Sequence, residues 1–187
     1  MNEAPDSRST ESATTSPDTA QETRLQGQQW RFAGPPVRQL FLCRNNSARS
    51  QMAEALTRLL TSGQVEVYSA GSHPAAQIHP EAVRALARLG ADMSQHIPKS
   101  LDQFQGQSFD RVVLLHARDE EEELSFQGTS KVVPWDFADP VKKSGTAEEQ
   151  TRAFQALGAE LMMRIRLLLA LIERERREQR TSRPPIT

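Results

Sequence analysis

Cysteine occurs once in these 187 residues, as Cys43. A single thiol excludes an intramolecular disulfide and fits a reducing, cytoplasmic setting. Charge of one sign is missing too: 23 Lys and Arg against 24 Asp and Glu leave a formal net charge of −1. With no basic stripe before the C-terminus, an electrostatic nucleic-acid footprint is not expected. No apolar run approaches the length of a membrane span, so no membrane partner is expected either. The N-terminus lacks the apolar core of a secretory signal, and Glu3, Asp6, Glu11, Asp18 and Glu22 argue against a transit peptide. Large apolar side chains are scarce in residues 1–36, which read as a disordered tail closed by Gly34-Pro35-Pro36. Such a tail is a solvated extension before it is a phosphorylated or partner-binding arm.

From Val37 the pattern changes. Apolar runs alternate with amphipathic stretches through about residue 178, and residues 179–187 form a flexible C-terminus. Strands are expected at Val37–Cys43, Val65–Ala70, Arg111–His116 and Lys131–Trp135. Helices are expected over residues 47–61, with Met52, Leu56, Leu59 and Leu60 inward, and from Pro80 toward Gly90, with Val83, Leu86 and Leu89 inward. A long helix from Ala147 to about Glu178 carries a stripe of Phe154, Leu157, Leu161, Ile165, Leu168 and Ile172. The expected fold class is α/β: one domain, residues 37–178, with a four-stranded parallel sheet and helices on both faces. In such sheets ligands sit at the C-terminal ends of the strands, where Cys43, Gly71, His116 and Asp136–Asp139 all fall.

Cys43 ends the first apolar run and is followed by Arg44, Asn45, Asn46, Ser47, Ala48, Arg49 and Ser50, where a helical stretch begins. A tight loop opening a helix points backbone N–H groups at one spot and favours negative charge there, the thiolate included. Arg49 adds a planar fork suited to two oxygens of a tetrahedral oxyanion. Ser50 is placed to donate its hydroxyl to the sulfur. The competing reading is a buried, inert cysteine, but the strand-before, helix-after context favours a nucleophile.

These residues resemble the low-molecular-weight protein-tyrosine phosphatase superfamily, and most closely its arsenate reductase branch. The run Ser50-Gln51-Met52-Ala53-Glu54 is similar to the reductases, since the phosphatases usually carry proline at Gln51. The likeness continues at Tyr68–Gly71, His79–Leu86, His96–Asp102 and Trp135–Pro140. It implies that Cys43 is the nucleophile, Arg49 the oxyanion clamp, and Asp139, before Pro140, the general acid for the departing oxygen. Asp136 competes for that role. Residues 44–48 and Ser50 would form the oxyanion loop, with Asn46 accepting positive φ and Ser47 supporting the loop. Asn45 stands where the family usually has glycine, and asparagine tolerates left-handed backbone well.

Two departures matter. Thioredoxin-coupled reductases carry two further cysteines where this chain has His116 and Glu123, so no internal relay is possible within this sequence. A reductase built this way needs an external thiol, of the glutathione/glutaredoxin or mycothiol type, and a possible redoxin partner. In some reductases a potassium ion supports the loop through residues matching Asn46, Glu54 and Ser69. The further acidic ligand would fall near Lys99 or Ser100, where this chain has none, and no metal site is expected. The Lys99 ammonium is a candidate stand-in, with a solvent-facing side chain as the plainer expectation. His73, His79 and His96 read as structural. The favoured function is an arsenate reductase-type enzyme. The alternative is a phosphatase acting on a phosphoester through a phosphocysteine, and the third reading is a non-catalytic oxyanion-binding module.

Overall fold

The computed structural model of the chain describes Trp30, Phe32, residues 34–116, Phe126 and residues 131–182. Its strands are β1 (Val37–Cys43), β2 (Val65–Gly71), β3 (Arg111–His116) and β4 (Val132–Asp136). Its α-helices are α1 (Arg49–Thr61), α2 (Pro80–Ala87) and α3 (Ala147–Thr181). All described pairings are parallel, in the order β2-β1-β3-β4. This is the α/β fold expected. β1 lies second in the sheet, and its last residue, Cys43, is in register with Gly71 at the end of β2.

Alternation along the strands divides the core. Phe41, Cys43, Val113 and Leu115 face one layer, built with α1, α2 and α3. Leu40, Leu42, Val112 and Leu114 face the other, closed by Phe109 and the 3-10 helix Leu101–Phe104. The stripe expected on α3 is buried in full, from Phe154 to Ile172. Thr146 caps that helix in a reciprocal capping box with Glu149. His79 caps α2, with Pro80 as its first residue.

Some expectations are corrected. Leu59, Val83 and Leu89 lie at exposed rims; Ala82, Ala85 and Leu86 fill the inner face of α2 instead. Hydrophobicity alone does not distinguish a core position from a rim position. Packing also starts upstream of Val37. The Trp30 ring is buried and stacks on Phe32 at 6.5 Å, and the Phe32 amide donates to Gln64 Oε1. Residues 1–29, 31 and 33 of the expected tail, the acidic run from Asp119 to Glu123 and residues 183–187 lie outside the described residues.

Candidate active site

α1 begins at Arg49 without a side-chain cap and with no acidic residue in its first turn. Its leading N–H groups are therefore left for a ligand rather than for the protein's own carboxylates. The preceding loop is fastened from outside through its carbonyls. Arg44 O accepts from His73 N, Asn45 O from Ala75 N and Ser47 O from His79 N, each at 2.9 Å. Asn46 adopts φ 44°, the left-handed conformation expected of it. Asn45 does not, so asparagine in place of glycine there carries no strain.

Gly71 permits the close approach of β2 to this loop. A Cβ there would lie 2.5 Å from Arg44 O and 2.9 Å from Asn46 N, contacts that neither backbone could yield.

Beneath the loop runs a directed hydrogen-bond chain. Asn46 Nδ2 donates to Ser50 Oγ at 2.8 Å and to Ser69 Oγ at 2.9 Å. Ser69 in turn donates to Glu54 Oε2 at 2.6 Å. Ser50 Oγ lies 2.9 Å from Cys43 Sγ. The Ser50 oxygen also accepts from Asn46, and its own proton remains for a bond to the sulfur. Asn46 Oδ1 accepts from Gln51 Nε2 and from the Lys99 amide, both at 2.7 Å. Gln51 is fully buried; it also donates to Ile97 O and accepts from His96 Nδ1.

The links of Gln51 and His96 to this web were not expected from the sequence, whereas Lys99 stands where a substitute cation was considered. Lys99 is not the solvent-facing residue expected. Its Nζ sits 3.2 Å from Glu54 Oε2, with the side chain 21% exposed. Burial pushes the Glu54 pKa up, but Lys99 and the Ser69 and Arg58 hydrogen bonds outweigh it and hold the group below the usual glutamate range. Burial moves His96 below the usual histidine value. Among the described residues no group of three His, Cys, Asp or Glu side chains is arranged to hold a metal.

Arg49, the first residue of α1, meets Asp139 from the segment after β4. Arg49 Nη2 lies 3.0 Å from Asp139 Oδ2, and Nη1 donates to Phe137 O at 3.1 Å. Asp139 Oδ1 accepts from the Val141 amide, an Asx-type turn that fixes the carboxyl after β4. Asp136 is exposed, in register with His116. Asp139 is paired with the loop arginine. The His116 ring has a buried Nδ1 without a hydrogen-bond partner. That side chain lies on the sheet face opposite Cys43, since Leu114 and Leu42 share it.

The chain is similar to known proteins. An arsenate reductase of Halalkalibacterium halodurans is 36% identical over 126 residues, 67% of this chain and 90% of the relative. A glutaredoxin arsenate reductase of Synechocystis is 33% identical over 76 residues, covering 41% of this chain and 57% of the relative. The crystal structure of arsenate reductase from Archaeoglobus fulgidus superposes with TM-score 0.59 at 26% identity, covering 71% of this chain and 98% of that one. Residues 38–178 match the sequence profile of the low molecular weight phosphotyrosine protein phosphatases. With loop, arginine and aspartate in place on the parallel sheet, the chain belongs to the low molecular weight phosphotyrosine protein phosphatase family.

Proposed function

We propose that the protein is a cysteine-dependent arsenate reductase that draws its electrons from an external thiol. The observation that carries this reading is Cys43 Sγ at 2.9 Å from Ser50 Oγ, at the mouth of a helix whose leading amides are uncapped. A tetrahedral oxyanion fits that field, and relatives similar over 126 residues are named arsenate reductases.

In the proposed sequence, the Cys43 thiolate attacks arsenic, forming an S–As bond. An As–O bond breaks, and Asp139 supplies the proton that lets the oxygen leave as water. The loop amides and the Arg49 fork hold the remaining oxygens. A thiolate RS⁻ then attacks Cys43 Sγ. The S–As bond breaks with its electron pair passing to arsenic, As(V) becomes As(III), and arsenite departs. A mixed disulfide, Cys43–S–S–R, remains. A second thiol or a redoxin thiol attacks it and restores Cys43. The sum is arsenate plus two thiols giving arsenite, one disulfide and water. Cys43 is the only sulfur nucleophile in the sequence, so both thiols come from outside. A reducing cytoplasm supplies them.

The phosphatase reading uses the same three residues, with phosphocysteine hydrolysed by water. Val141-Lys142-Lys143 after Pro140 offers no aromatic wall for a phosphotyrosine ring, which favours the small inorganic substrate.

The test is turnover of purified protein with arsenate under separate reductants. Arsenite should accumulate with glutathione plus glutaredoxin and vanish when the small thiol is omitted. Sustained turnover with thioredoxin and no small thiol would refute the external-thiol route. Hydrolysis of p-nitrophenyl phosphate without arsenite formation under any thiol would install the phosphatase reading.

A further inference from the structure

A cavity of about 520 Å³ opens between the segment that follows β4 and α3. That size accommodates a peptide-sized small molecule and far exceeds what arsenate needs. One wall is Asp139–Pro140, the segment that carries the carboxyl paired with Arg49. The opposite wall is α3, where Ala153 and Ala156 keep the space open and Leu157 gives an apolar floor.

The charges around it are specific. Lys142 and Lys143 line the cavity and are exposed. Glu160 lines it from α3, its Oε1 accepting from Arg164 Nη2 at 2.7 Å. Arg164 is anchored in turn, with its guanidinium 4.3 Å from the centre of the Phe137 ring. Two cations on one side and one positioned carboxylate on the other complement a molecule bearing carboxylates and an ammonium group.

We infer that this cavity is the docking site of the resolving thiol, and that the thiol is an acidic, zwitterionic peptide thiol of the glutathione class. The inference rests on the reductase reading. It places the thiol's carboxylates on Lys142 and Lys143 and its ammonium on Glu160. The sulfur is then directed past Asp139 toward Cys43, for the attack on Sγ described above. A neutral sugar-type thiol would gain nothing from these three side chains.

Two measurements test it. Calorimetric titration with S-methylglutathione, which cannot react, should show saturable binding that weakens at least tenfold in Lys142→Glu/Lys143→Glu. In the arsenate assay, the ratio of glutathione-supported to 2-mercaptoethanol-supported turnover should fall at least tenfold in the same variant. Ala156→Trp, which fills the cavity from an exposed helix position, should lower the same ratio. Binding of S-methylglutathione that is undetectable, or unchanged in both variants, overturns the inference. So does an Ala156→Trp protein that keeps its use of glutathione but loses aryl phosphate hydrolysis, since the cavity would then hold a leaving group. Absence of arsenate turnover with every thiol would fell the reductase reading instead, and the calorimetry alone would then uphold or overturn the docking site.

Discussion

Arg49 and Asp139 form a buried ion pair, Nη2 to Oδ2 at 3.0 Å, with side chains only 2% and 5% exposed. The pair ties the first turn of α1 to the segment after β4. Removing either charge therefore has two consequences, one for chemistry and one for stability.

For chemistry, Asp139→Asn should lower turnover about 10²–10⁴-fold where the leaving oxygen needs a proton. With activated aryl phosphates the loss should be much smaller. Asp136→Asn, on an exposed side chain, is expected to leave this leaving-group dependence alone. If Asp136→Asn reproduces the pattern and Asp139→Asn does not, the acid is Asp136.

Arg49→Lys should cost about 10²–10³-fold in kcat/KM, because an ammonium cannot span Phe137 O and Asp139 while clamping an oxyanion. Chemical denaturation should show a loss of several kcal/mol, about 3–5, for Arg49→Ala, which strands the Asp139 carboxylate. Unchanged kinetics in Arg49→Lys would remove this residue from the site.

Cys43→Ser should abolish turnover and keep oxyanion binding. In the wild-type protein, iodoacetamide should label Cys43 and phosphate should slow that labelling. Labelling indifferent to phosphate would mean that the loop does not bind oxyanions.

Lys99 and Glu54 give a pH prediction. Glu54 is held below its ordinary value, so its contribution to stability is complete above the ordinary glutamate pKa and is lost as pH falls through the lower folded value. His96 is also lowered, so it acts in the same direction: its contribution is present above its ordinary value, and is lost as pH falls through the folded one. Lys99→Met should raise the acid-unfolding midpoint and cost about 1–3 kcal/mol near neutrality, discounted for partial exposure. Thermal melts from pH 4 to 8 would show it, and an unmoved acid limb would mean that the ammonium does not support Glu54. Exchanging potassium for choline at fixed ionic strength should leave wild-type turnover unchanged.

Gly71→Ala should disrupt the loop, because its Cβ would meet Arg44 O at 2.5 Å. Oxyanion affinity should fall at least tenfold even where the fold survives. Ordinary affinity in a folded Gly71→Ala protein would show that the two backbones can part.

The local features were legible in the sequence. An apolar run ending on Cys43, an asparagine able to take positive φ and an uncapped helix start are all neighbours in the chain, and β1 and β3 fall on their expected bounds. What the sequence concealed is nonlocal. Gln51, His96 and Lys99 are polar residues that ordinarily face water, and their burial follows from partners 45 or more residues away. Trp30 was hidden for a similar reason: two aromatic residues, Trp30 and Phe32, at the end of a polar stretch are too few for a periodic signal, although the Trp30 ring is buried. Val83 and Leu89 erred the other way, since Val83 is on the outer face of α2 and Leu89 lies in the turn beyond its end.

The Arg49–Asp139 contact joins residues 90 positions apart, and the Lys99–Glu54 contact joins residues 45 apart. No fragment ending before β4 holds a complete reaction centre. Contacts of such separation form late, after the chain has met the entropy of closing long loops. Recovery of activity during refolding should accordingly trail the return of helical signal. For a newly made chain, the nucleophile exists well before the groups that control it, and Cys43 passes through synthesis as an ordinary thiol.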